Sequence, residues 1–351
     1  MPHQWEGCEL EVLPGLEDIV RDEISDLLPG QVQVTAQPRP GRLTVQVRGR
    51  PWRLERLRSI VAVHVTARFD VPRPKALLGH QHFTRLVALL GELVARQAPG
   101  TFASLRVSAA GAESAVFTRL RGELERALGL QGQGEGDLLV SFRRPPDRAP
   151  GWEVLARTTP RPLSARAWRV CSLPGALNAA AAYAMVRMAD PQPTDRFLNL
   201  ACGSGTFLVE RLDYVPASLA LGVDVDPQAL ECARANLRAA GHGSAATLIH
   251  GDAARLPLAS GSIDTMVVDL PFGMLMGSTQ ENRALYPALL AEAARVAAPT
   301  ARLVAITAAR RLFESALEEV GSAWHLTRTL GLSLPYRDRT MPVRIYLLNR
   351  A

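Results

Sequence analysis

The stretch Asn199-Leu200-Ala201-Cys202-Gly203-Ser204-Gly205-Thr206, read with Asp269-Leu270-Pro271-Phe272 about seventy residues later, decides the fold of this chain. Arg196 to Leu200 predicts a buried strand and Phe207 to Leu212 a helix, with a Gly-x-Gly turn between them. Gly203 and Gly205 can take backbone angles closed to other residues, which lets a ligand approach bare N–H groups beside a helix start. Alone, such a turn fits an ordinary strand-to-helix connection equally well.

The next elements favour a ligand. Leu219 to Val223 predicts a second strand, and Asp224 at its carboxyl end lies nineteen residues after Gly205, about where an acidic residue of a doubly wound fold meets ribose hydroxyls. Position 208 is Leu, so the third glycine of a dinucleotide fingerprint is missing, and a ligand with a ribose but no phosphate fits better. Strand Ala246 to Ile249 leads into Gly251-Asp252-Ala253, and strand Ile263 to Val268 into Asp269-Leu270-Pro271-Phe272. Successive strand ends thus carry a glycine turn and three aspartates, on the side of an open α/β sheet where ligands bind.

These residues resemble the class I, Rossmann-like S-adenosylmethionine-dependent methyltransferases. Asp269-Leu270-Pro271-Phe272 is similar to the Asn/Asp-x-Pro-Phe/Tyr motif of those that methylate exocyclic amines of bases. An exocyclic amine gives its lone pair to the ring and attacks a sulfonium methyl poorly. A side-chain oxygen of Asp269 and the carbonyl of Leu270 can accept both N–H hydrogens while Phe272 stacks on the base, which is catalysis by positioning and electrostatics.

Composition bounds the rest. A chain of 351 residues predicts two or three domains. The absence of a charged-then-apolar leader, and of any apolar run near eighteen residues, predicts no membrane span and no export. Cys8, Cys171, Cys202 and Cys232 are scattered without Cys-x-x-Cys spacing, and His80 with His82 lacks partners. The expectation is neither disulfide framework nor metal site, and a reducing, cytoplasmic compartment. Charge is uneven: residues 1–37 are net −7, residues 38–169 net +13 and residues 170–351 neutral. A basic middle beside a neutral catalytic half suggests a polyanionic partner met by the middle. Aromatics there are sparse, which favours gripping phosphates and shape over stacking on single-stranded bases.

Residues 1–70 predict a ferredoxin-like α+β domain in the order strand, helix, strand, strand, helix, strand. Val71-Pro72-Arg73-Pro74 punctuates its end. Residues 71–165 predict a second α/β domain, with helices His82–Arg96 and Ser114–Leu128 and strands Ser104–Ser108, Leu138–Arg143, Trp152–Arg157 and, running just past its end, Leu163–Trp168. This unit resembles a THUMP domain, an RNA-binding module of tRNA-modifying enzymes, through the Ser114–Leu128 helix, Gly129 and a strand ending in Arg143-Arg144-Pro145-Pro146-Asp147. Residues 166–185 read as a linker and lead-in helix. Arg166-Ala167-Trp168-Arg169 and Leu173 to Ala182 are similar to the Arg-x-x-Arg and Pro-x-x-Leu-Asn segment of THUMP-containing guanine-N2 methyltransferases, as are the residues from Asp269 to Ser278 and Leu285-Tyr286-Pro287. Residues 186–351 then form the Rossmann-like methyltransferase domain.

The resemblance implies methylation of the N2 amine of a guanosine in tRNA, at guanosine 6 of the acceptor stem, with the acceptor stem and 3′ end as the bound partner and no obligatory protein partner. Asn199, Ala201, Cys202, Gly203, Ser204, Gly205, Thr206, Asp224, Val225, Asp252 and Ala253 are the implied S-adenosyl-L-methionine contacts; Asp269, Leu270, Pro271 and Phe272 are the implied catalytic set. Asn178, Arg143, Arg144, Arg166 and Arg169 are candidate substrate contacts, with Asn178 equally suited to packing. The family often opens its glycine loop with Asp-Pro where this chain has Asn199-Leu200; Asn can still accept a hydrogen bond. The motif at 269–272 does not name its base, so an rRNA or adenine-N6 methyltransferase stays open, as does a catalytically silent RNA-binding protein.

Overall fold

Alternation of apolar and polar residues builds the first sheet. The computed structural model describes residues 5–130, 136–271, 279–336 and 339–351, and they fall into two units, one of Met1–Val12 with Glu17–Ser164, the other of Leu13–Leu16 with Ala165–Ala351. In the first, β1 (Gly7–Val12), α1 (Glu17–Leu27), β2 (Val32–Arg39), β3 (Arg42–Val47) and β4 (Ile60–Phe69) follow the predicted plan, except that the second helix is a 3-10 turn over Pro51–Arg56. After α2 (His80–Ala95) come β5 (Leu105–Ala109), α3 (Ala115–Leu128), β6 (Leu138–Arg143) and β7 (Trp152–Arg157).

All seven strands share one sheet, in the order β2-β3-β1-β4-β7-β6-β5. The first four are antiparallel neighbours in ferredoxin-like order. β4 then pairs β7 from His64 opposite Arg157 to Phe69 opposite Trp152, so the sheet runs through the boundary expected near residue 70. The expected strand Leu163–Trp168 does not form. A 3-10 turn over Leu163–Ala165 stands there, after Pro160 and Pro162, which have no N–H to offer a ladder.

One sheet face is apolar, with Leu10, Leu43, Val45, Val63, Val65 and Val154 buried. The other carries a polar stripe. Glu9, 2% exposed, accepts from Arg143 Nη2 at 2.5 Å, and Glu153 accepts from Arg143 Nε at 2.8 Å. Burial alone would raise the Glu11 carboxyl, but hydrogen bonds and charge from His64 and Arg42 outweigh it and hold it at about 2.

The second unit is α4 (Ala179–Met188), β8 (Arg196–Leu200), α5 (Thr206–Tyr214), β9 (Leu219–Asp224), α6 (Pro227–Ala239), β10 (Thr247–His250), β11 (Ile263–Asp269), α7 (Thr279–Val296), β12 (Ala297–Thr307), α8 (Arg310–Glu319), β13 (Trp324–Tyr336) and β14 (Arg339–Arg350). Its sheet order is β10-β9-β8-β11-β12-β14-β13, parallel through β12 and then antiparallel. Strand order reverses between β8 and β11, the switch point where an open α/β sheet leaves a crevice at its carboxyl edge. Leu200 lies opposite Val268, so the glycine turn and Asp269 leave the sheet side by side. Beneath them Leu198, Leu200, Met266, Val268, Leu303 and Ala305 pack with Tyr286, Leu289 and Leu290 of α7; burying such side chains stabilises by about 1.5–3 kcal/mol each.

The cysteines depart from expectation. Cys171 and Cys232 form a disulfide across a sequence separation of 61, with Cα atoms 5.4 Å apart, while Cys8 and Cys202 are free and buried. Spacing could not reveal this pair, because only the fold brings residue 171 to α6.

Candidate active site

The glycine turn is wound in the left-handed region. Ala201 has φ +49°, Gly203 +51° and Gly205 +77°. A Cβ on Gly205 would stand 3.0 Å from the Ala233 Cβ of α6, whereas one on Gly203 would meet nothing within 4 Å. Gly205 is therefore fixed by packing of α5 on α6 and by its left-handed φ, and Gly203 by its left-handed φ alone. Cys202 N donates to Val223 O at 2.8 Å, and burial raises its thiol. Ser204 is buried, and its Oγ lies 3.4 Å from Thr206 Oγ1.

Asp224 ties this turn to the next one. Its Oδ2 accepts from Gly203 N at 2.7 Å and its Oδ1 from Asp226 N at 3.0 Å. Each oxygen keeps a lone pair for a ligand hydroxyl. Val225 beside it is 63% exposed, an apolar side chain that the face of a purine would cover. Asp226 caps α6 through Gln228 N at 2.8 Å. Asp252 is exposed, with Oδ1 accepting from Ala254 N at 2.8 Å, and Ala253 is buried. A glycine cradle, a carboxylate and an exposed apolar side chain at consecutive strand ends fit the amino-acid, ribose and adenine parts of S-adenosylmethionine.

Asn199 lies differently from expectation. It is fully buried, with Nδ2 donating to Leu200 O at 3.2 Å and Oδ1 without a partner, so it supports the loop from within the sheet rather than facing the cradle. A residue the sequence reading missed does more. Asn236 of α6, fully buried, accepts at Oδ1 from Val170 N and Cys171 N at 3.0 and 2.9 Å, and donates from Nδ2 to Cys171 O and Ser204 O at 2.9 Å. It stitches the lead-in segment to the glycine turn, and its partners lie too far away in sequence for any local signal.

Asp269 ends β11. The residue keeps some exposure, yet its Oδ1 is buried without a partner, and burial lifts the carboxyl to about 7. Leu270 is buried and donates from N to Ile306 O at 3.1 Å. The Pro271 carbonyl accepts from Asn282 and Tyr286 of α7. Phe272 lies outside the described residues.

The arginines expected to meet substrate are engaged within the chain. Arg143 is spent on Glu9 and Glu153. Arg144 donates to Gly151 O and Pro72 O and lies over the Trp152 ring. Arg166 pairs with the fully buried Glu210. Arg169 donates to Leu177 O and Thr206 Oγ1 at 3.0 and 2.9 Å, and burial lowers its pKa. A guanidinium bonded on several sides to its own chain has few N–H groups left for a phosphate. Asn178 caps α4 by accepting from Ala180 N at 2.9 Å. Among the described residues no group of His, Cys, Asp and Glu is arranged to hold a metal.

Known proteins share this fold and sequence. The family described as "RMKL-like, methyltransferase domain" matches residues 166–330. A Thermus thermophilus protein named tRNA (guanine(6)-N2)-methyltransferase is 30% identical over 314 residues, covering 87% of this chain and 90% of its own. The Bos taurus protein named tRNA (guanine(6)-N(2))-methyltransferase THUMP3 is 32% identical over 189 residues, covering 50% of this chain, and the match spans 37% of that longer protein. The crystal structure of TrmN from Thermus thermophilus has the same fold, with a TM-score of 0.74 at 24% identity, covering 98% of this chain and 99% of TrmN.

Proposed function

The chain belongs to the tRNA (guanine(6)-N2)-methyltransferase family, and from that membership and the geometry of the site we propose that it methylates the N2 amine of a guanosine in tRNA, at position 6 of the acceptor stem, with S-adenosylmethionine as donor. The bound donor would supply an electrophilic sulfonium methyl. Backbone groups of Gly203, Ser204 and Gly205 face its amino-acid part, Asp224 its ribose hydroxyls, and Val225, Asp252 and Ala253 its adenine. Asp269 Oδ1 accepts one N–H of the target amine, and the Leu270 carbonyl takes the other. Both bonds strengthen as the nitrogen gives up its lone pair, so they favour the transition state over the ground state. A carboxyl near 7 is also matched to receiving the proton that the nitrogen sheds.

The observation that carries this reading is Asp269 Oδ1, a buried acceptor with no partner, at a strand end beside the glycine cradle. Leaving such a group unpaired costs about 1–3 kcal/mol, and an incoming amine would satisfy it. The basic region 38–169 is the proposed tRNA-binding part, and a tRNA substrate favours a cytoplasmic setting. Incubating unmodified tRNA with protein and donor, then identifying the modified nucleoside after digestion, tests the proposal. N2-methylguanosine is expected. N6-methyladenosine, or donor binding without methyl incorporation into any RNA, would overturn it.

A further inference from the structure

Pro271 follows the reactive carboxylate by two residues, and its carbonyl oxygen is gripped twice from one helix. Asn282 Nδ2 donates to it at 2.8 Å and Tyr286 Oη at 2.7 Å. The two side chains are four residues apart in α7, one turn along the same face. The carbonyl end of the network fixes its direction. Pro271 O can only accept, so the Tyr286 hydrogen goes to it and Thr307, 3.0 Å away, donates to Tyr286 Oη while its Oγ1 accepts from Ala309 N at 2.9 Å. Burial raises the Tyr286 phenol to about 12, so it stays a donor at neutral pH. Its ring is held edge-on to Phe313 at 6.2 Å, and Tyr286 and Thr307 are fully buried.

Asn282 is the informative member. It is 1% exposed, and its Oδ1 is buried without a partner. An amide buried with one end unpaired destabilises a fold, and an apolar residue of similar volume in a helix interior avoids that penalty. Asn282 therefore weakens the fold and makes in exchange, among the described residues, one side-chain hydrogen bond, to Pro271. On the opposite side, Leu270 N–H is anchored to Ile306 O of β12.

We propose that Asn282 and Tyr286 are positioning residues for methyl transfer: by gripping the Pro271 carbonyl they fix the backbone from Asp269 to Pro271, and with it the direction in which Asp269 Oδ1 meets the target amine. This rests on the reading of Asp269 as the acceptor for that amine. Neither residue touches substrate. They act through Asp269 and Leu270.

Asn282→Leu and Tyr286→Phe in the full chain test the lock by two independent readouts. Hydrogen exchange should quicken in peptides spanning Asp269 to Pro271 and stay unchanged in β8. Single-turnover transfer should fall by about ten- to a hundredfold, the scale on which misplacement of reacting groups acts, with donor affinity within twofold of wild type. The thermal midpoint of Asn282→Leu should equal or exceed that of wild type, an outcome no purely structural role predicts. Unchanged local exchange with unchanged transfer overturns the lock, as does exchange that quickens across β11 and β12 together with a lowered midpoint. A wild-type protein inert on all RNA would sink the proposed function instead, and the exchange measurement would still decide whether the two residues fix the loop.

Discussion

Asp269 is the residue whose environment makes the sharpest demand. Burial raises its carboxyl from 3.8 to about 7, so the folded chain holds a proton that the unfolded chain releases between those values. The sign follows: this carboxyl has no effect on stability below about pH 4 and weakens the fold increasingly as pH rises towards 7. Asp269→Asn should therefore raise the thermal midpoint more at pH 8 than at pH 5; an equal change at both would show that the carboxyl is not shifted. Transfer runs the other way, since the ionised carboxylate is the better acceptor and base, so the single-turnover rate should climb through about pH 7. In Asp269→Asn it should be slower and flat with pH. Asp224 is the residue proposed to meet the donor. Losing a hydrogen bond to a charged group costs about 1.5–3 kcal/mol, so Asp224→Ala should weaken donor binding roughly tenfold to over a hundredfold. Titration calorimetry reads this directly, and an unchanged dissociation constant would confine Asp224 to its bonds with Gly203 and Asp226. Asp224 and Asp269 were legible because each ends an apolar run beside a turn. Asn236, Asn282 and the Arg143–Glu9 pair were not: their partners lie 32 to 66, 11 and 134 residues away.

At the level of elements, the parallel strands β8, β9 and β11 read clearly because each is a short apolar run that ends in Asp or leads into a glycine turn. The Leu163–Trp168 segment was misread because its apolar residues look strand-like while Pro160 and Pro162 deny it a ladder. α6 is the element whose work was hidden. It carries Ala233, which crowds any side chain at Gly205, Asn236, and Cys232, bonded to Cys171. Closing a loop over a sequence separation of 61 restricts the unfolded chain by about 4 kcal/mol in the chain-entropy account. Wild-type protein should thus melt several degrees lower in dithiothreitol than without it, while Cys232→Ala should melt at one temperature in both. A wild-type midpoint indifferent to reductant would mean that the bond does not form in solution.

Across the whole molecule, charge and chemistry are separated in sequence. Residues 170–351 are net neutral and carry the reactive strand ends, and residues 38–169 are net +13. Two of the arginines expected to grip RNA are bonded to their own chain, Arg143 to Glu9 and Glu153 and the exposed Arg144 to Gly151 O and Pro72 O, so the proposed electrostatic work falls to other exposed cations of the first unit such as Arg39, Arg48 and Arg56. A paired stem nucleotide must leave its stack, at a cost of a few kcal/mol, before its amine can reach a methyl group. The neutral half has little attraction for RNA with which to offset that cost. Binding of the full chain to tRNA should then weaken steeply with salt, by about 0.7–0.9 log units per log unit of salt for each phosphate contact. Changing Arg39, Arg48 and Arg56 together to Gln should lower that slope while leaving donor affinity untouched. A fragment beginning at Ala165 contains the whole second sheet and its core; it should bind S-adenosylmethionine yet fail to methylate tRNA. If the fragment methylates the same nucleotide at a rate comparable to the full chain, the first unit does not select the target, and selection must be sought on the neutral half, at the strand ends themselves.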